Sequence, residues 1–269
     1  MKIVLSLLTL LLVGLLGVGG YYVYQTYDRQ TAAADSSSQS VGVSAGVSMG
    51  ATKKPATPYE VPKALSYAIT ANHDTVAWIE IPDTDINDSV VQAEDNLFYE
   101  RRNERKEYEV YGCYFMDYEC PFGPREVLAP NTVIYGHSTP GDLPDGKRFS
   151  QLFRFTDETF AANHPCIYMV TPEERLNWEI FAVFYTDIYF DYIRVLMTGG
   201  EMVELANAAK EKSLYNYGIE IGEEDKILTL STCSDKYGAD GTHRFVVMAR
   251  LLGEQDTEPA QAQIVKIKD

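Results

Sequence analysis

Short apolar runs bounded by turn residues recur along most of the chain. They fall at 76–81, 87–92, 111–117, 131–137, 166–171, 175–187, 226–233 and 244–252. Each is rich in β-branched and aromatic residues and reads as a strand. Eight strands at irregular spacing predict a mainly β protein, a barrel or sandwich, and not a parallel α/β sheet. Helical spacing interrupts the series. Val61, Leu65, Ala68 and Ile69 share one side of a candidate helix at 58–72, with Pro62 near its start. A longer candidate spans about 200–213, behind Gly199 and Gly200. There Met202, Leu205, Ala206 and Ala209 oppose Glu201, Glu204, Lys210 and Lys212. Shorter helical candidates lie at 95–101, 149–155 and 157–162.

The N-terminus has a different pattern. Ile3 to Tyr24 is 22 residues without a charge. That is long enough to span a bilayer as a helix and longer than the core of most cleaved signals. Lys2 ahead of it favours a cytoplasmic N-terminus. The opposing reading is a signal cleaved near Ala32-Ala33-Ala34. Both export the rest of the chain. Tyr21, Tyr22, Tyr24 and Tyr27 suit the outer membrane interface. Residues 29–57, rich in Ala, Ser, Gly, Thr and Val, read as a flexible spacer. The expected organisation is therefore an anchor at 1–28, a linker at 29–57, a folded domain at 58–255 and a tail at 256–269.

Composition narrows the picture. A formal net charge of −16 argues against a nucleic-acid partner, which would need a basic face. With 12% aromatic residues, the folded part can bury a sizeable core. Of four cysteines, Cys113 and Cys120 flank an extended run, which would hold them about 20 Å apart, too far for a bridge. Cys166 sits among apolar residues and reads as a small buried side chain. No CxxC pair is present, which argues against zinc. Residues 83–94 carry Asp83, Asp85, Asn87 and Glu94 at EF-hand positions. Asp88 occupies the place that needs glycine, so the segment reads as an acidic strand connection.

The chemistry concentrates near the C-terminal strands. Cys233 ends the run Lys226 to Cys233, sharing one face with Ser231 and Thr229. A polar loop follows, and a second strand opens behind Arg244. A hairpin would bring that guanidinium beside the thiol, an arrangement that favours the reactive thiolate. A cysteine nucleophile needs a base. His137, at a strand end before a turn-rich loop, is the leading partner; His243 is the rival, with an adjacent cation that disfavours imidazolium. His73 reads as a helix-end residue and His164 as a solvent-facing turn residue. Arg244 could be a surface arginine with a packed stem, or could stabilise an acyl-transfer oxyanion, with the backbone N–H of Ser234 as a second donor.

Thr229-Leu230-Ser231-Thr232-Cys233, with Arg244 eleven positions on and Tyr135-Gly136-His137 about a hundred residues upstream, resembles the sortase family. An N-terminal helix before the barrel, a long helix before the cysteine-bearing strand, and the segments Trp78–Thr84 and Val90–Gln92 resemble class B in particular. The resemblance covers about residues 60–252 and implies an eight-stranded sortase-like β-barrel with helical insertions. It implies a catalytic His137, Cys233 and Arg244, with no cofactor or metal. Ser231 and Tyr135 match substrate-groove positions, and Asn96, Tyr99 and Tyr185 fall where the far wall is expected. The implied reaction is cleavage of an Asn-Pro-x-Thr-type sorting signal after Thr through a thioacyl-enzyme. The protein is then transferred to an amine of a cell-wall precursor. The implied setting is a Gram-positive cell membrane with an extracellular catalytic domain. A pilin lysine as acceptor, a purely hydrolytic cysteine peptidase, and a non-enzymatic wall-binding barrel are the other readings. Ser89 stands where many sortases have proline, which affects one turn and not the chemistry.

Overall fold

The computed structural model describes residues 59–268. The expected anchor at 1–28 and linker at 29–57 lie outside the described residues. Among those described, no helix is long and apolar enough to cross a membrane.

Eight strands close into a barrel: β1 (Thr75–Glu80), β2 (Asn87–Val91), β3 (Tyr114–Met116), β4 (Asn131–Tyr135), β5 (Cys166–Val170), β6 (Arg175–Asp187), β8 (Ile227–Cys233) and β9 (His243–Leu251). The order around it is β1-β2-β3-β4-β8-β9-β6-β5. Pairing is antiparallel except for β2 with β3 and β4 with β8, which are parallel. Closure leaves no open sheet edge. The interior is filled with side chains, as the size of an eight-stranded barrel requires. Val133, Leu228, Leu230, Val247, Ala249, Val183 and Trp178 belong to that core. One end is plugged by a 3₁₀ segment, Arg148–Thr156, which buries Phe149, Leu152, Phe153 and Phe155.

The helices cover selected outer surfaces. α1 (Lys63–Ala71) buries Leu65. α2 (Glu158–Asn163) is capped by Asp157, whose carboxylate accepts from the Phe160 N–H. α3 (Gly199–Lys212) begins with a capping box between Thr198 and Glu201. Its apolar stripe, Met202, Leu205, Ala206 and Ala209, packs on Phe181, Phe184, Val246 and Met248 from the outer face of β6 and β9. Two short strands, β7 (Tyr215–Asn216) and β10 (Val265–Lys266), pair outside the barrel. Residues past 255, expected as a tail, thus fold back: Ile267 N–H donates to the Leu214 carbonyl.

Several expectations are corrected. Residues 95–101 form turns and bends, not a helix. Asp95 accepts the N–H groups of both Leu97 and Phe98, and this local turn competes with helix. The strand expected at 111–117 shortens to 114–116, because Gly112 adopts φ +51°. His164 does not face solvent. Its ring stacks on Phe160 at 3.9 Å and bonds the Phe160 carbonyl and Asp83. All four cysteines are free.

Candidate active site

Register builds the site. In β8, Leu228 and Leu230 point to the interior cluster, while Ile227 joins the outer cluster with Val246 and Met248. The two-residue period places Thr229, Ser231 and Cys233 on that outer face. β8 pairs with β9 so that Cys233 lies opposite Arg244 and Ser231 opposite Val246. On its other side β4 pairs Tyr135 with Ser231, and the Gly136 N–H still donates to the Ser231 carbonyl. Continuing this parallel register places His137 beside Cys233, on strands about 4.8 Å apart. His137, Cys233 and Arg244 thus form one row across three strands, with Thr186 of β6 opposite Arg244. Tyr135, Ser231 and Val246 form the next row inward.

Glycine permits this row to form. A Cβ on Gly136 would come within 2.7 Å of the Phe149 ring and 3.0 Å of Tyr114. Those rings stack at 4.7 Å just behind the strand end. The His137 carbonyl is held by the Phe149 N–H at 2.9 Å. Its ring Nε2 lies 2.7 Å from the Glu100 carbonyl. A carbonyl only accepts, so Nε2 carries the proton, and Nδ1 holds the lone pair of the neutral ring. Glu100 belongs to the long connection between β2 and β3, which is fastened on several sides. Tyr99 donates to Asp74, and Arg148 pairs with Glu104. Gly112 lets the connection close, because a Cβ there would meet the Glu100 and Tyr99 carbonyl oxygens at 2.7 and 2.8 Å. Burial is the largest influence on the imidazole and lowers its pKa below the usual 6.5. The neutral ring is therefore favoured.

Cys233 is partly exposed, and its carbonyl accepts from the Ser138 hydroxyl at 2.8 Å. Arg244 is anchored by its own loop: Nη1 donates to the Gly241 and His243 carbonyls at 2.7 and 2.9 Å. Those bonds engage one nitrogen of the fork. The guanidinium offers five N–H donors in all, so Nε and Nη2 can address a bound group.

The remaining expected positions divide. Ser231 is buried, and its hydroxyl shares a 2.8 Å bond with the Tyr192 hydroxyl. Tyr135 and Asn96 converge on one carboxylate: Tyr135 Oη donates to Asp117 at 2.8 Å and Asn96 Nδ2 at 2.7 Å. Tyr99 does not line a groove. It is 1% exposed and accepts from Asn72 while donating to Asp74. Tyr185 sits on the opposite face of its strand from the site row, packed on Phe245 and Phe153 at the barrel mouth. The Ser234 amide is not a free oxyanion donor, since it donates to the His243 carbonyl at 3.1 Å and closes the hairpin. His243 lies on β9 one position before Arg244, paired with Asp187 of β6 on its far side and bonded through its carbonyl to the Ser234 N–H, with Asp240 beside its ring.

Tyr192 and Asn131 were not legible as site residues. Tyr192 comes from the irregular segment between β6 and α3, where no periodicity marks it. Asn131 is fully buried and donates to the Tyr192 and Arg194 carbonyls while accepting from Thr229. Together they pin that segment against the outer face beneath Cys233.

A partly exposed thiol flanked in register by an imidazole and a guanidinium suits nucleophilic acyl transfer. Comparison with known proteins agrees. Residues 79–252 match the Sortase domain family model. The sortase B of Listeria monocytogenes is 31% identical over 182 residues, covering 67% of this chain and 71% of that protein. A Staphylococcus aureus sortase B–substrate complex superposes with a TM-score of 0.63 at 26% identity, covering 71% of this chain and 85% of that one. Sortase B from Bacillus anthracis in complex with AAEK1 gives 0.61 at 33% identity, covering 73% and 88%. The chain belongs to the sortase family as a class B sortase, a cysteine transpeptidase whose substrates are sorting-signal proteins.

Proposed function

We propose that Cys233, His137 and Arg244 carry this reaction, on an Asn-Pro-x-Thr-type signal and an amine of a cell-wall precursor. The supporting observation is the shared row on the outer barrel face, with Cys233 opposite Arg244 and His137 next to it by register. Cys233 gives its thiol proton to the neutral His137 imidazole as Sγ attacks the threonine carbonyl, and the Arg244 fork faces the developing oxyanion or the substrate backbone. Collapse of the intermediate breaks the Thr–X amide. The His137 imidazolium gives its proton to the departing amine, leaving a thioester on Cys233 and a neutral imidazole. The incoming amine then attacks the thioester, His137 takes its proton, and as the C–S bond breaks that proton returns to the leaving sulfur, restoring the thiol and the neutral imidazole. Cleavage with water in place of the amine would be the peptidase reaction alone. Tyr135, one row inward, would line the path of the bound signal, with Asn96 held beside it through Asp117 and Ser231 acting through the Tyr192 hydroxyl that covers it.

The uncharged segment 3–24 supports an anchored enzyme with its catalytic domain outside the cell. The test incubates the full chain with Asn-Pro-x-Thr peptides, with and without triglycine, and follows intact mass and products. An acyl adduct on Cys233 that triglycine discharges into a ligated peptide is expected. No adduct with any such peptide would sink the assignment. Discharge only to the free acid, with triglycine present, would make the enzyme a peptidase.

A further inference from the structure

The β4–β8 ladder ends before it reaches the reacting groups. The last paired residues are Tyr135 and Ser231, with one further bond from Gly136. His137 lies beyond β4, and Cys233 is the final residue of β8. Strand pairing alone does not set their spacing. The two loops that leave them are instead tied directly together. Ser138 donates its hydroxyl to the Cys233 carbonyl at 2.8 Å. Asp142 accepts the Ser234 hydroxyl at 2.6 Å on Oδ2 and the Asp235 N–H at 2.8 Å on Oδ1. Asp235 answers by accepting the Gly141 N–H at 2.8 Å. The Ser234 oxygen also accepts the Lys236 N–H at 3.2 Å.

The backbone is shaped for this exchange. Asp142 sits at φ +52° beside Gly141 at φ +89°. Aspartate and asparagine tolerate that left-handed region better than other side chains with a Cβ. The bend turns the carboxylate back toward residues 234 and 235, so both of its oxygens are used on the loop that follows the nucleophile.

From this geometry we infer that Asp142 is a positioning residue of the transpeptidase, latching the loop after His137 to the loop after Cys233. It touches neither the thiol nor the imidazole in the bonds it makes. It acts by preventing the two strand tips from parting. Displacing a reacting group by about 1 Å costs on the order of a hundredfold in rate, so a lost latch appears in turnover and not in binding. This rests on His137 and Cys233 being the reacting pair.

The test uses the full chain, triglycine and whichever Asn-Pro-x-Thr peptide the wild type ligates fastest. Asp142→Gly removes the carboxylate while easing the backbone. Its kcat is expected to fall about tenfold or more, with KM within about threefold. Asp142→Asn keeps the left-handed fit. Its Oδ1 can still accept the Asp235 N–H while its amide donates to the Ser234 hydroxyl, so kcat within about threefold of wild type is expected. Ser234→Ala should lower kcat on its own, and adding it to Asp142→Gly should cost little more, because both remove one latch. The inference is overturned if folded Asp142→Gly turns over like the wild type, if its loss lies wholly in KM, or if Asp142→Asn is as impaired as Asp142→Gly. Should Asp142→Gly not fold, an unchanged kcat for Ser234→Ala overturns it. Failure of the reaction itself separates cleanly: there Cys233→Ala would keep ligase activity, or the wild type would show none.

Discussion

The two faces of strand β8 follow different rules within the same seven residues. On the inner face, Leu228 and Leu230 meet Ala249 and Val247 in a core held by packing. On the outer face, Thr229 and Ser231 are polar and buried, and Cys233 is partly exposed. Each of the two hydroxyls is satisfied by one named partner, Asn131 and Tyr192. Buried polar groups are costly unless paired, so the outer face tolerates few rearrangements. The inner face provides stability by bulk and shape. The outer face uses fixed hydrogen bonds to hold a reactive end in place.

The same contrast separates the cysteines. Cys120 and Cys166 are enclosed, and burial pushes their thiols up to about 12. Cys113 is raised further by the same cause. Protonated and enclosed, they are inert. Cys233 alone among the four is partly exposed, at a strand tip beside an arginine.

Substitutions on the two faces should therefore break different properties. The largest effect is expected from Cys233→Ala, which should abolish acyl-enzyme formation by mass spectrometry and leave the melting midpoint nearly unmoved. Arg244→Lys replaces a planar fork with a point charge. A loss of about 10²–10³ in kcat, the usual cost of one oxyanion donor, is expected in steady-state kinetics, with a small stability change. Leu230→Ala should do the reverse. Denaturant melts should show about 2–5 kcal/mol lost, with turnover per folded molecule preserved. Ser231→Ala tests the boundary between the faces. It strands the buried Tyr192 hydroxyl, so about 1–3 kcal/mol of stability should go together with some activity. An unchanged melt there would show that Tyr192 finds another partner.

The smallest effect concerns pH. The His137 pKa is lowered in the fold, so below 6.5 the unfolded chain binds the proton more readily than the folded one. This contribution to stability is full above pH 6.5 and declines as pH falls from there through the lowered folded value. His137→Gln should flatten that part of the stability–pH curve in denaturant titrations. A wild-type curve that rises on acidification through this window would contradict the direction. For activity, the favoured neutral imidazole predicts a bell-shaped kcat/KM profile with its acid limb below pH 6.5. A monotonic rise to pH 10 would count against imidazole participation.

Much of this was readable along the chain because it depends on local periods. Short β-branched and aromatic runs bounded by turn residues marked eight barrel strands, and spacing of 3 and 4 marked the stripe from Met202 to Ala209. The cysteine, histidine and arginine were visible because each lies at the edge of a strongly patterned run. The misjudged positions lack such a pattern. Tyr99 lies in the segment 95–101, where turns and not a helix decide its direction. Tyr185, expected at the far wall from the resemblance, packs on Phe245 and Phe153 instead, in a strand whose packing on both sides shows no clean alternation.

Taken alone, the sequence determined that this is a mainly β domain, which strands compose it, and which three side chains stand at strand ends. It did so because strand propensity and turn chemistry act over a few residues. The tertiary structure decided which strands distant in sequence are neighbours, and therefore that Tyr135 meets Ser231. It also decided that Tyr192 closes over Ser231 and that Asp142 reaches Ser234. The last two pairings join residues 39 and 92 positions apart. Their partners are selected by barrel closure, which leaves no local trace.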